Sequence, residues 1–226
     1  MQFKSLIKFI QTGIKEVGKH PLLLFFNGII VIVFLLLTIY VKSGEQKWQR
    51  AQFVIQLFED PFTPRRPLQS YLTNLSEILW CFSFAICSFS TALIQNIRPR
   101  RPINRFIFCS ALILAVLLID DIFRITLIAH EFFGIPKLVT PLIYGIFIIV
   151  YGFFFWRKIT STPYFLLLVS FGLFIISGLV SGLHLPGNAT PAMLEDGTKL
   201  LALINLAYYF WYVCKNEVLS AKTRTW

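Results

Sequence analysis

Charge is scarce in this chain: Asp, Glu, Lys and Arg make up 14% of its 226 residues, against about 25% in soluble domains. Acids are the scarcer sign, 11 against 21 basic residues. A disordered tail needs far more charge and far less apolar character, and no glycine repeat of the collagen kind is present. Histidine occurs three times and cysteine four times. The cysteines (Cys81, Cys87, Cys109, Cys214) all fall inside apolar stretches, at intervals that match neither a metal site nor a disulfide framework. They read as small buried hydrophobes. No HExxH sequence occurs, so a zincin-type metal site is absent.

Apolar residues are abundant: the hydrophobic fraction is 56%, with 24 phenylalanines and a mean hydropathy of +0.70. A soluble domain of this size buries only about 70% of the surface of its unfolded chain, too little to hide so much apolar area. The fold class expected is therefore all-α, a polytopic membrane helical bundle. A spanning helix needs roughly 20 mostly apolar residues. Six stretches qualify, at 21–41, 75–97, 106–129, 138–156, 163–183 and 194–214.

Lys and Arg placement orients such a bundle. Lys4, Lys8, Lys15 and Lys19 precede the first span. Arg98, Arg100, Arg101 and Arg105 lie between the second and third. Arg157 and Lys158 follow the fourth, and Lys215, Lys222 and Arg224 fall in the tail 215–226. These regions share one side of a six-span bundle, so both termini are expected to be cytoplasmic and the 42–74 loop extracytoplasmic. Within residues 1–20, Phe3, Leu6, Ile7, Ile10, Ile14 and Val17 recur at helical spacing opposite the lysines. That pattern predicts an amphipathic helix in the interface, its lysines on anionic headgroups of the lipid bilayer. Basic residues spread over four regions make no nucleic-acid patch.

Small residues mark helix contacts. Ser177, Gly178, Ser181 and Gly182 form overlapping small-xxx-small pairs, Ser76, Ser83 and Ser90 recur every seventh residue, and Gly145 and Gly152 repeat that interval. All read as packing inside the bundle, with a homo-oligomer or another membrane subunit as the alternative use of such faces.

An ionisable side chain at the centre of a span costs at least about 2.5–3.5 kcal/mol, so each one calls for an account. The third span carries Asp120, Asp121 and Arg124, with His130 and Glu131 at its outer edge. Glu77, His184, Glu195, Asp196 and Lys199 fall on the same side of the six-span scheme. Asp120 and Arg124 are one turn apart and can pair, as can Asp121 with Arg124 and Glu195 with Lys199. Asp120 and Glu131, eleven residues apart, would then share a face. Asn74 and Glu77 read as a capping box opening the second span.

Three functions fit this pattern. The first is a noncatalytic accessory, assembly or sensing protein whose ion pairs (Asp120, Asp121, Arg124, Glu195, Lys199) set helix register. The second is a metal-dependent enzyme acting on a lipid or headgroup. One divalent cation would be held by Asp120, Glu131, His184, Glu195 and Asp196, with Asp120, Asp121, His130 and Glu131 as the catalytic candidates. The third is an ion- or proton-coupled transporter, for which the two halves show no clear similarity. Single cysteines placed at positions 100 and 188 of a cysteine-free variant should be labelled from opposite sides of sealed vesicles. Labelling of both from one side would overturn the six-span scheme and the common face of the ionisable residues.

Overall fold

The computed structural model describes residues 18, 21–42, 49, 52–53, 56–57, 71–97, 102–136, 139–182 and 189–223. The surface helix expected over 1–20 (apart from Gly18), most of the 42–74 loop and His184 lie outside the described residues. The described chain is all-helical: α1 (Pro21–Lys42), α2 (Tyr71–Ile97), α3 (Pro102–Phe123), α4 (Ile125–Phe133), α5 (Val139–Phe154), α6 (Trp156–Ile159), α7 (Tyr164–Gly182) and α8 (Ala189–Thr223). Helices α1, α2 and α3, of 22, 27 and 22 residues, are long and apolar enough to cross a membrane, while α5 and α7 are shorter apolar helices. At 1.5 Å per residue, 22 residues reach about 33 Å, slightly more than a hydrocarbon core.

Helix limits depart from the sequence reading in four places. α2 is already helical at Tyr71, so Asn74 lies inside it and cannot be its cap. The stretch expected as one span over 106–129 is two helices that meet at Arg124. A second break falls at Phe155, between α5 and α6. α8 runs for 35 residues and takes in Thr190, Pro191 and most of the tail after Cys214.

The chain divides into two compact units, and α8 contributes to both. The first comprises Met1–Ser76 and Phe165–Leu206. Here α1 is apolar almost all round and buries only Leu23, the pattern of a helix whose surroundings are themselves apolar. Its polar tie is Asn27. The Asn27 amide donates to Asn205 Oδ1 at 3.2 Å, and the Asn205 amide returns the bond to Asn27 Oδ1 at 3.0 Å. Each amide also donates within its own helix, to the Leu23 and Leu201 carbonyls, so both amide hydrogens of each side chain are used. α7 is held to α8 by serines: Ser170 donates to the Ala202 carbonyl at 2.7 Å and Ser177 to the Glu195 carbonyl at 2.9 Å. These bonds take the second lone pair of carbonyls in a helix, so they join two helices without costing α8 a bond of its own. α1 also packs closely on α8 at Gly197, where an added Cβ would lie 3.0 Å from the Phe34 ring.

The second unit comprises Glu77–Tyr164 and Ala207–Trp226. Its interior gathers Trp80, Cys87 and Ile94 from α2, Phe106, Ile107 and Leu114 from α3, and Tyr209, Phe210, Val213 and Cys214 from α8. Phe106, Tyr151 and Phe155 form an aromatic group with ring centroids 5.1–5.8 Å apart, and Phe82 stacks on Trp211. Gly145 and Gly152 correct the packing expectation for α5: an added Cβ at either would meet nothing within 4 Å, and α5 buries no residue at all. Ser83 and Ser90 do face the interior, as their seven-residue interval implied.

The amide pair gives a direct test, because a lone amide left among apolar side chains costs more than removing both partners. Asn205→Leu should lower the melting temperature in detergent, and adding Asn27→Leu should recover part of the loss. A double variant less stable than the single one would contradict the pairing.

Candidate functional site

The break between α3 and α4 is where the ionisable residues act. Arg124 takes a left-handed backbone, φ 51 and ψ 40, the one non-glycine residue with positive φ among the described residues. For a residue with a Cβ this conformation costs roughly 1–2 kcal/mol, and the break also exposes the first N–H groups of α4. Asp120 answers both demands. Its Oδ1 accepts the Thr126 backbone N–H at 2.9 Å, and the Thr126 hydroxyl donates to Oδ1 and Oδ2 at 2.9 and 3.0 Å. The carboxylate also places negative charge at the positive end of α4, where it is favoured.

The far end of α4 is closed by two more residues from the sequence reading. Gly134 is left-handed, φ 64, and its N–H bonds the His130 carbonyl at 3.0 Å. His130 Nδ1 lies 3.0 Å from the Ile135 carbonyl; a carbonyl only accepts, so Nδ1 carries the proton. A histidine in the last turn, bonded to a carbonyl just beyond it, is a helix-ending arrangement. Glu131 is exposed on α4, and Asp121 and Arg124 are half-buried, each with an interaction of its own. The eleven-residue count linking Asp120 to Glu131 assumed an unbroken helix. The left-handed turn at Arg124 removes that basis.

Glu195, Asp196 and Lys199 belong to the other unit, near the start of α8. Glu195 and Lys199 keep their one-turn spacing there, and the Glu195 backbone carbonyl takes bonds from Ser177 and Thr198. Among the described residues, no three His, Cys, Asp or Glu side chains are grouped as a metal ion would require. The first unit also has a cleft of about 230 Å³ between α1, α7 and α8, walled by aliphatic and phenyl side chains with Asn27 and Asn205 as its polar members. Its wall carries no nucleophile and no titratable group, so it can hold an apolar chain but offers no acid–base or covalent chemistry.

Several uncharged polar residues escaped the sequence reading, which followed charge. Asn27 and Asn205 are two. Ser110 with the Tyr151 hydroxyl and Thr162 with the Tyr209 hydroxyl at 2.9 Å are two further pairs in the second unit. An uncharged amide or hydroxyl in an apolar run is itself a signal, since it must find a partner where water is absent.

These features define an all-helical protein with three helices long and apolar enough to cross a membrane, some of whose internal polar groups are joined helix to helix. The chain belongs to the family described as a domain of unknown function, DUF8692, which it matches over residues 23–213. Comparison with curated proteins and with solved structures finds no match.

Asp120→Ala should cost about 1.5–3 kcal/mol, the range for hydrogen bonds to a charged group, and should free the amide of Thr126 to exchange. Glu131→Gln, on the exposed side of α4, should change stability by less than about 0.5 kcal/mol. Equal, small losses for the two variants, read by thermal melting and hydrogen exchange, would remove Asp120 from its capping role.

Proposed function

We propose that the protein is a six-span membrane protein with both termini cytoplasmic, working as a noncatalytic accessory, assembly or sensing component. The observation that carries this reading is the use made of Asp120. Both of its oxygens are engaged by Thr126, so the acid most central to the charged stretch holds a helix junction together. His130 closes the other end of the same short helix. Residue types that would serve as ligands or acid–base groups thus act on the chain's own backbone.

The apolar exterior supports residence in lipid. Leu22, Phe25, Ile32 and Leu36 on α1 and, in the other unit, Leu142, Phe147, Phe153 and Phe154 on α5 are all exposed, more large apolar side chains than soluble monomers leave open to water. The loop lysines and arginines supply the orientation, and the basic, amphipathic first twenty residues supply contact with anionic headgroups. α5, with no buried residue and its glycines open, presents the kind of face on which another membrane helix packs closely.

Metal content separates this reading from the enzymatic one. Protein purified without chelator is expected to carry no stoichiometric divalent metal, and chelator should leave its melting temperature unchanged. Retention of about one equivalent per chain, lost on Asp120→Asn combined with Glu131→Gln, would replace the accessory reading with a metal enzyme, because coordination needs ionised oxygen ligands.

A further inference from the structure

The cleft between α1, α7 and α8 measures about 230 Å³, more than the roughly 150 Å³ that accommodates benzene in an apolar cavity. Its two ends differ. Ser170 bonds Ala202 and Ser177 bonds Glu195, so α7 and α8 run antiparallel. Asn27 pairs with Asn205 while Phe34 lies against Gly197, so α1 is antiparallel to α8 as well. Asn27, Asn205 and Phe165 therefore stand at one end of the cleft, and Val31, Leu201 and Leu173 at the other. Phe165 and Leu173 are two helical turns apart, about 12 Å. The groove has a carboxamide end and an aliphatic end.

The hydrogen-bonding capacity of the carboxamide end is one-sided. Both N–H bonds of each amide are spent, one on the opposite carboxamide and one on the Leu23 or Leu201 carbonyl. Those backbone carbonyls also fix which end of each amide is nitrogen, since a carbonyl takes only a donor. Among the described residues each Oδ1 accepts one bond and keeps its second lone pair. The site can accept a hydrogen bond and has none to give. A carboxylate, a phosphate or a ketone finds neither a donor nor a positive charge in this wall, and an ammonium group finds no counter-charge. A hydroxyl fits. Asn205 is only 5% exposed, so its spare lone pair is shielded from water and gains most from a donor brought in by a ligand.

We propose that the cleft binds a single-chain lipid alcohol, its hydroxyl donating to Oδ1 of Asn27 or Asn205 and its tail running toward Val31 and Leu173. Depth narrows the class in the same direction. Asn27 lies six residues after Pro21, where α1 begins, about 9 Å along the axis. A phospholipid keeps its headgroup at the interface and cannot bring it to that depth, whereas a bare hydroxyl can sink with its chain. The exclusion of phospholipid headgroups rests on the membrane reading above; the one-sided amide pair does not.

The full-length protein, in detergent micelles and again in lipid nanodiscs, should be irradiated with a diazirine-tagged hexadecanol and the labelled peptides mapped by mass spectrometry. Label is expected on α1, α7 and α8 around the cleft. Untagged hexadecanol should compete about five- to tenfold more strongly than its methyl ether, the worth of one hydrogen bond, and palmitate no better than the ether. Val31→Trp, at an exposed position, should block labelling by filling the cleft. Asn27→Leu with Asn205→Leu should keep the labelling and erase the preference for alcohol over ether. If that double variant fails to fold, the wild-type competition and Val31→Trp still decide. Equal competition by alcohol, ether and palmitate would make the cleft a seat for any apolar chain and overturn the proposal. Label spread evenly over the helices, or unchanged by Val31→Trp, would overturn it too. Labelling in micelles that vanishes in nanodiscs would give the cleft to phospholipid chains, against the proposal. The micelle result is independent of topology, and the membrane reading stands or falls on the two-sided cysteine labelling alone.

Discussion

A polar group among apolar helices has no water to fall back on, so it must find its partner inside the chain. Most of the tertiary structure described above is organised by that demand. Apolar contacts hold the helices together in bulk but scarcely distinguish one rotation of a Leu-rich helix from another, since lipid offers the same contacts. The directional bonds do distinguish. Asn27 with Asn205 sets the face that α1 turns to α8, and Ser170 and Ser177 set the register of α7 on the same helix. Each such bond contributes only about 0.6 kcal/mol on average in membrane helices, yet leaving its members apart costs more. The pairs therefore act mainly by excluding alternatives.

The same demand explains the break between α3 and α4. A break at Arg124 costs left-handed strain and leaves N–H groups of α4 open, in surroundings where neither is easily relieved. Asp120 sits six residues ahead of Thr126 and supplies the acceptor. A carboxylate that reads as a catalytic candidate is accounted for by the junction it stabilises. The aspartate and the break require each other: without the break Asp120 has no exposed N–H groups to receive, and without Asp120 the break is uncompensated.

Polar pairing and apolar exposure fall on different residues here. The amide and hydroxyl pairs lie deep between helices, while α5 keeps its apolar surface and both glycines open.

By itself the sequence determined the broad class. Long runs of Leu, Ile, Phe and Val admit only helices whose backbone bonds close within the segment, and the helical limits at 21, 97, 164 and 182 lie within a residue or so of where composition alone places them. Serines at seven-residue intervals likewise announced an inward face. Tertiary structure decided the rest, because pairing depends on what arrives from distant segments. Nothing local tells Asn27 that Asn205, 178 residues away, will answer it, or that Ser170 will reach the Ala202 carbonyl. The break at Arg124 was illegible for a related reason: helical periodicity runs smoothly through Asp120, Arg124 and Glu131, and only the Asp120–Thr126 bonds make interruption the better arrangement.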